Sequence, residues 1–270
     1  MTRRFPNLNM ALHHAESAAR AAGRLMRKHW RSEKKVRSST QHDIKLELDE
    51  RCQSLIERKL RAAYRQIPIL GEEGVVGAPK SDLRWVVDPI DGTVNYAHGI
   101  PHCCVSIALQ GCREPRRPRR NGGSEPYSSM VGVVYDPFCQ EVWTAIHGER
   151  ARLNGRPIRV SARRRLEECI ISVGFAKYRA TLQQMLPVLN RLLFRARKVR
   201  IMGSAALALT YVASGRTDAY VEAGLRLWDI AAGGLILECA GGDFWHRPMP
   251  GEHVYHVAAN NGLLRRKLLS

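Results

Sequence analysis

Trp85-Val86-Val87-Asp88-Pro89-Ile90-Asp91-Gly92-Thr93 is the stretch on which the reading of this chain turns. An apolar strand runs directly into two aspartates three residues apart, with Pro89 stiffening the bend and Gly92 permitting an unusual backbone conformation. Two carboxylates held close repel each other, and a hard divalent cation such as Mg²⁺, which takes oxygen ligands, resolves that repulsion. The N–H groups of Gly92 and Thr93 are then placed to hold a phosphate oxygen, above all where a helix begins. Asp-Pro and Asp-Gly are also ordinary turn pairs, so the hexapeptide by itself leaves both readings open.

Two further features bear on it. Gly71-Glu72-Glu73-Gly74 follows the apolar run Ile67–Leu70 and again puts carboxylates at a strand end, although alone it reads as a solvated turn. Leu227-Trp228-Asp229 opens the helical run Ile230–Cys239, where Asp229 is expected to cap the helix and, beside a metal cluster, to serve as a ligand too.

Working outward, apolar residues from Leu8 to Trp30 recur at steps of three and four, predicting an amphipathic helix, and a second helix follows Asp49 through Ala63. Arg31–Gln41 between them reads as a loop or irregular hairpin. Short apolar runs at Ile67–Leu70, Leu83–Val87, His102–Gln110, Met130–Tyr135 and Glu141–Ile146 predict strands. Later the pattern alternates: helix Leu182–Ala196, strand Lys198–Met202, helix Ala205–Ala213, strand Asp218–Val221, helix Ile230–Cys239 and strand Val254–Ala258. Alternation of this kind predicts a layered α/β domain. A boundary is expected within residues 147–165, giving an N-terminal α+β subdomain over 1–150 and a C-terminal α/β subdomain over 151–270.

The 270 residues carry a formal net charge of +18, unevenly placed. Residues 1–40 hold ten Lys/Arg against two acids and residues 150–200 fourteen against two, but residues 41–110, with the carboxylate motifs, hold eight against ten. The charge is therefore read as a solvated Arg-rich surface that helps to steer anionic substrates. The Arg-rich piece from Gly111 to Ser129 reads as a hairpin insertion. Seven cysteines without a C-x-x-C pairing point to reduced, mostly buried thiols. No apolar stretch of about 18 residues suggests a membrane span, and the N-terminus lacks a secretory pattern, so a soluble, cytoplasmic protein is expected.

Together the motifs carry a resemblance. Gly71-Glu72-Glu73, the Trp85–Tyr96 stretch, Gly203-Ser204-Ala205-Ala206, Asp218-Ala219-Tyr220-Val221-Glu222, Trp228-Asp229-Ile230-Ala231-Ala232-Gly233 and Ala258-Ala259-Asn260 resemble, in order and spacing, the inositol monophosphatase family of lithium-sensitive, magnesium-dependent phosphatases. The resemblance implies an αβαβα layered sandwich of the sugar-phosphatase type, α+β in its first half and α/β in its second, with the active site between two subdomains. It further implies two Mg²⁺ ions, with a third, weaker one near Glu72. Their ligands would be Glu72, Asp88, the Ile90 carbonyl, Asp91 and Asp229, with Asp88 bridging. Glu72 is thereby also counted among the catalytic residues, and Glu73 is left outside the cluster. Thr93 and Asp49 would orient or deprotonate an attacking water. Asp91, Gly92, Thr93, Gly203, Ser204, Ala205 and Glu222 would contact substrate, an inositol monophosphate or a related sugar or polyol phosphate, and the family's habit implies a homodimer.

The chain departs from the family around Asp49, where Lys45 and Leu46 replace the usual threonine pattern; Lys45 is expected either to contact the substrate phosphate or to pair with Glu47. N-capping of the second helix is the plain structural role for Asp49, and a strand-end surface acid is the plain one for Glu222. Fructose 1,6-bisphosphate, histidinol phosphate and 3′-phosphoadenosine 5′-phosphate are alternative substrates within the same chemistry. A rival of another class is a protein that binds RNA or a transcription complex through its Arg-rich segments 111–129 and 150–200, nucleic acid being its partner. No RNP-like run or zinc module accompanies those arginines.

Overall fold

The computed structural model describes residues 6–40, 43–78, 81–112, 127–176, 179–264 and 268. Helix α1 (Leu8–Lys28) is capped by Asn7, whose side chain accepts the Met10 N–H, and buries a face of small residues, Ala11, Ala15, Ala18, Ala19 and Ala22. Those small side chains let α1 lie close against α2 (Glu47–Ala63) and the sheet beneath. Between the two helices runs an antiparallel hairpin, β1 (Val36–Thr40) and β2 (Asp43–Leu46), with an irregular register between Val36 and Ser38.

Next come β3 (Ile69–Gly71), β4 (Gly74–Val76), β5 (Leu83–Asp91), the short helix α3 (Thr93–Ala97), β6 (Cys104–Cys112), β7 (Tyr127–Asp136), β8 (Glu141–Ile146), β9 (Arg152–Leu153) and β10 (Arg156–Pro157). These strands form one sheet in the order β10-β9-β8-β7-β6-β5-β3-β4, antiparallel except for β3 beside β5. Strand β6 takes up Gly111 and Cys112 and β7 begins at Tyr127, so the expected insertion narrows to residues 113–126, which lie outside the described residues.

The second half contributes β11 (Ile170–Val173), α4 (Arg179–Arg195), β12 (Lys198–Arg200), α5 (Ala205–Ala213), β13 (Ala219–Arg226), α6 (Leu227–Cys239), β14 (Asp243–Pro248) and β15 (Val254–Asn260). Its sheet runs β12-β11-β13-β15-β14, with β11 parallel to both of its neighbours. The first sheet continues to Pro157, past the division expected at residue 150, and the second starts at Ile170.

The layers follow from which faces are apolar. Trp85, Val87, Ile107 and Leu109 pack under α1 and α2, while their alternate neighbours Val86 and Ala108 pack against α5 and α6. A sheet covered on both faces needs near-continuous apolar strands, which is how β5 and β6 read. Helix α6 lies between the two sheets and is apolar around its whole circumference from Ile230 to Leu237. Helix α4 covers the outer face of the second sheet through Met185 and Leu192, which meet Ile171, Val173 and Val221. The order is helix, sheet, helix, sheet, helix, the αβαβα sandwich that the resemblance implied.

Candidate active site

Strand β5 does not stop at Val87, as the apolar run suggested, but continues through Asp91. Its register with β6 slips: Asp88 faces Ser106 and Asp91 faces Cys104, so three steps on β5 match two on β6. Residues three apart on a regular strand point to opposite faces, and the one-residue bulge brings both aspartates to the same cavity. Gly92 then turns the chain with φ +95°, where a Cβ would lie 3.0 Å from the His102 carbonyl and 3.2 Å from that of Gly203. A left-handed backbone in so crowded a corner admits glycine and little else.

The cavity, about 350 Å³, lies where the two halves of the chain meet. Every proposed metal-binding or substrate residue borders it: Glu72, Asp88, Ile90, Asp91, Gly92, Thr93, Gly203, Ser204, Ala205, Glu222 and Asp229. Glu72 stands at the corner of the hairpin joining β3 to β4, and its N–H donates to the Val87 carbonyl at 3.2 Å. Gly71-Glu72-Glu73-Gly74 thus places its carboxylates at the end of β3, as expected, and turns the chain into β4. Asp88 accepts the Ile90 N–H at 3.0 Å. Asp91 receives the Ala206 N–H at 2.7 Å, the Ala205 N–H at 3.3 Å and the hydroxyl of Ser204, the N-cap of α5.

Asp49 and Asp229 do serve their helix starts, as expected of caps, but from inside the first turn. Neither stands at the N-cap position; each is the third residue of its helix, α2 beginning at Glu47 and α6 at Leu227. Each reaches back to the N–H that precedes its helix, Asp49 to Leu46 and Asp229 to Arg226, both at 2.7 Å. The other oxygen of Asp49 lies 3.2 Å from the Thr93 hydroxyl, which is also 2.8 Å from the Ile90 carbonyl. One hydroxyl carries one proton, so Thr93 donates to either acceptor but not to both at once.

Burial and crowding dominate the electrostatics. Asp88 is pushed well above the usual carboxylate range by burial and then by Glu72, Asp91, Asp229 and Asp49. Asp229 is likewise held well above it by burial, Asp91 and Glu72, and Asp91 is raised by burial against its several hydrogen bonds. Burial takes Asp49 up to about 7, with Glu72 and Glu73 adding to the rise and the Leu46 N–H opposing it. This surplus of negative charge, presented only through oxygen, is what a hard divalent cation would neutralise. The donor set therefore fits Mg²⁺. Among the described residues no three His, Cys, Asp or Glu side chains converge tightly enough to grip an ion as they stand.

Glu222 lies within β13, 8% exposed, and is not a strand-end surface acid. The Tyr220 hydroxyl donates to it, and burial takes it up to about 7. A Cβ on Gly174 would fall 1.6 Å from its Oε2, so glycine at 174 is what leaves room for this carboxylate. Sequence reading gave no role to Tyr220 or Gly174, nor to Asn95, whose amide ties the His102 carbonyl to that of Met202, each at 2.8 Å, and so joins the two halves. The Asn95 signal was its place in the Trp85–Tyr96 stretch. Lys45 pairs with Glu73 at 3.1 Å, not with Glu47, and does not border the cavity.

With this geometry, comparison with known proteins is direct. A profile of the inositol monophosphatase family matches residues 7–263. The chain is similar to the Nus factor SuhB of Xylella fastidiosa, 39% identical over 228 residues, covering 83% of this chain and 78% of that one. It is similar to inositol monophosphatase 1 of Solanum lycopersicum, 37% identical over 235 residues, covering 84% and 81%. Among solved structures, the inositol monophosphatase of Anabaena (Nostoc) sp. PCC 7120 superposes with a TM-score of 0.81 at 32% identity, covering 97% of this chain and 95% of that one.

Proposed function

The chain belongs to the inositol monophosphatase family and is a phosphoric monoester hydrolase, and on that premise we propose that it is a Mg²⁺-dependent phosphatase of inositol monophosphate or a related small sugar or polyol phosphate. The observation that carries the reading is the bulge in β5, which turns Asp88 and Asp91 toward one cavity with Glu72 from the first half and Asp229 from the second. Glu72, Asp88, the Ile90 carbonyl, Asp91 and Asp229 would hold two or three Mg²⁺ ions, which when bound lower the pKa of water and neutralise charge on a leaving oxygen.

The chain's own residues do the rest. N–H groups at Gly92 and Thr93 orient the phosphoryl group, and Glu222 accepts hydrogen bonds from hydroxyls of the leaving group, beside Gly203, Ser204 and Ala205. Thr93 holds the attacking water in line with the ester bond, and Asp49 takes one of its protons through that hydroxyl. Water oxygen bonds to phosphorus as the ester P–O bond breaks, the leaving oxygen takes a proton from solvent water and Asp49 returns its own to solvent, so that alcohol and inorganic phosphate are released. The two halves, meeting between Pro157 and Ile170 rather than at residue 150, would act as subdomains of a cytoplasmic enzyme. No described helix is long and apolar enough to cross a membrane.

Exposed Leu186, Leu193 and Phe194 on α4 support pairing of two copies through that face, which sedimentation at micromolar concentration reads directly. A panel comprising inositol 1-phosphate, fructose 1,6-bisphosphate, histidinol phosphate and 3′-phosphoadenosine 5′-phosphate, assayed for released phosphate, tests the activity. Hydrolysis that requires Mg²⁺ and stops with chelator is expected; silence on every ester would sink the proposal. Relatives called Nus factor SuhB favour a second reading, association with RNA or a transcription complex through the Arg-rich segment 150–200. Failure to retard RNA at low salt would end it.

A further inference from the structure

Asn95 takes no part in the chemistry set out above, yet its side chain stands where the two halves of the chain close over the cavity. It is the third residue of α3, two positions after Thr93. Its Nδ2 lies 2.8 Å from the His102 carbonyl in the first half, 2.8 Å from the Met202 carbonyl in the second and 3.4 Å from that of Gly203. Three carbonyl oxygens around one nitrogen fix the orientation of the amide, and its two N–H groups serve one acceptor on each side. A carboxylate of the same shape donates nothing, and a hydroxyl donates only once.

The segment on the far side depends on such a tie. Ile201, Met202 and Gly203 lie between β12 and α5, outside any strand or helix, and Ile201 is 58% exposed. They lead directly into Ser204 and Ala205, which border the cavity and donate to Asp91. The approach is close enough to require glycine on both sides. A Cβ on Gly203, where φ is +77°, would fall 3.1 Å from Asn95 Nδ2, and one on Gly92 would fall 3.2 Å from the Gly203 carbonyl. On its own side Asn95 accepts the Ile100 N–H at 2.9 Å, which steadies the loop leading to His102. The corner that carries Thr93 is thereby braced against the stretch that leads to Ser204 and Ala205. In-line attack depends on the spacing of those two sides, and a displacement of about 1 Å costs on the order of 10²-fold in rate.

We propose that Asn95 is a positioning residue, which holds the second half closed on the first and so keeps the substrate in line with the attacking water. The proposal rests on the phosphatase reading of the site. It is tested by steady-state kinetics of the wild type, N95A and N95D on inositol 1-phosphate with Mg²⁺, and by amide hydrogen exchange of all three in chelator. In both variants kcat is expected to fall on the order of 10²-fold. KM and the Mg²⁺ concentration giving half-maximal rate should move far less, because Glu222 and the carboxylates around the cavity are untouched. Exchange should quicken several-fold at residues 202–206 while β5 and β6 keep their wild-type protection. An unchanged kcat in both variants, or a loss carried by KM alone, overturns the assignment. So does exchange that stays as in the wild type at 202–206, or that quickens across β5 and β6 as well, the mark of a general loss of stability. Were the wild type to hydrolyse no ester, the phosphatase reading would fail, and the exchange data would still decide whether Asn95 holds the two halves together.

Discussion

Helices α2 and α6 both leave directly from a β-strand, and both carry an aspartate at their third position whose Oδ2 accepts the N–H before the helix at 2.7 Å, Leu46 in one and Arg226 in the other. Locally the two are nearly the same device, a side chain satisfying a free donor at a helix start. They diverge in what else each carboxylate meets. Asp49 meets the Thr93 hydroxyl, and burial takes it up to about 7 against that hydrogen bond, a range suited to accepting a proton near neutrality. Burial first, and then Asp91 and Glu72, hold Asp229 well above the usual range. The helix start fixes where each carboxylate stands; its neighbours across the fold assign the work.

The largest effect that could break this comparison belongs to Asp229→Asn. Asparagine keeps a carbonyl oxygen for the Arg226 N–H, so the cap survives and only the charge is lost. Turnover is expected to fall on the order of 10⁴-fold, the several kcal/mol attributed to metal-assisted charge stabilisation. With chelator present, the variant should melt no lower than the wild type, because one of the mutually repelling buried carboxylates is gone, and Mg²⁺ should raise its Tm less. If the variant unfolds far below the wild type in chelator, Asp229 matters as a cap and not as a charge.

Asp49→Asn sharpens the same comparison with a smaller loss, on the order of 10³-fold in kcat, typical of a lost general base. The wild-type Tm increase with Mg²⁺ should persist in this variant. Asp49 and Asp229 would be doing the same job if both substitutions abolished that increase equally.

What was legible in the sequence follows the same division between local and distant causes. The carboxylates of Glu72, Asp88, Asp91 and Asp229 could be picked out because each sits in a short, characteristic run at the end of an apolar segment. The bulge that aligns Asp88 with Asp91 could not, since it is set by Ser106 and Cys104 on the neighbouring strand. Strand β14 was missed because His246, Arg247 and Pro248 break any apolar alternation, yet it is held along its length by β15. The hairpin β9–β10 was seen only as an Asn154-Gly155 interruption, two residues per strand being too few to show a period. Strand β13 was ended too early, at Val221, although it runs through Gly224 to Arg226; that shortening is what left a strand-end surface acid open as the plain role for Glu222 beside substrate contact.

Glu222 supplies the smallest of these effects and extends the comparison to a buried acid that caps no helix. Burial raises it from 4.5 to about 7, against the pull of the Tyr220 hydroxyl. Between those two values the unfolded chain has released the Glu222 proton while the folded protein keeps it, so the unfolded state binds fewer protons and stability falls as pH rises. The fall should amount to on the order of 3 kcal/mol across the window from about 4.5 to about 7 and should level off above it. Glu222→Gln cannot ionise, so denaturant titrations of wild type and variant in chelator should show their stability difference shifting in the variant's favour by that amount as pH climbs. A difference that stays flat from pH 4.5 to 7 would mean that Glu222 is ionised in the folded protein throughout, and that its carboxylate is stabilised by a group other than Tyr220.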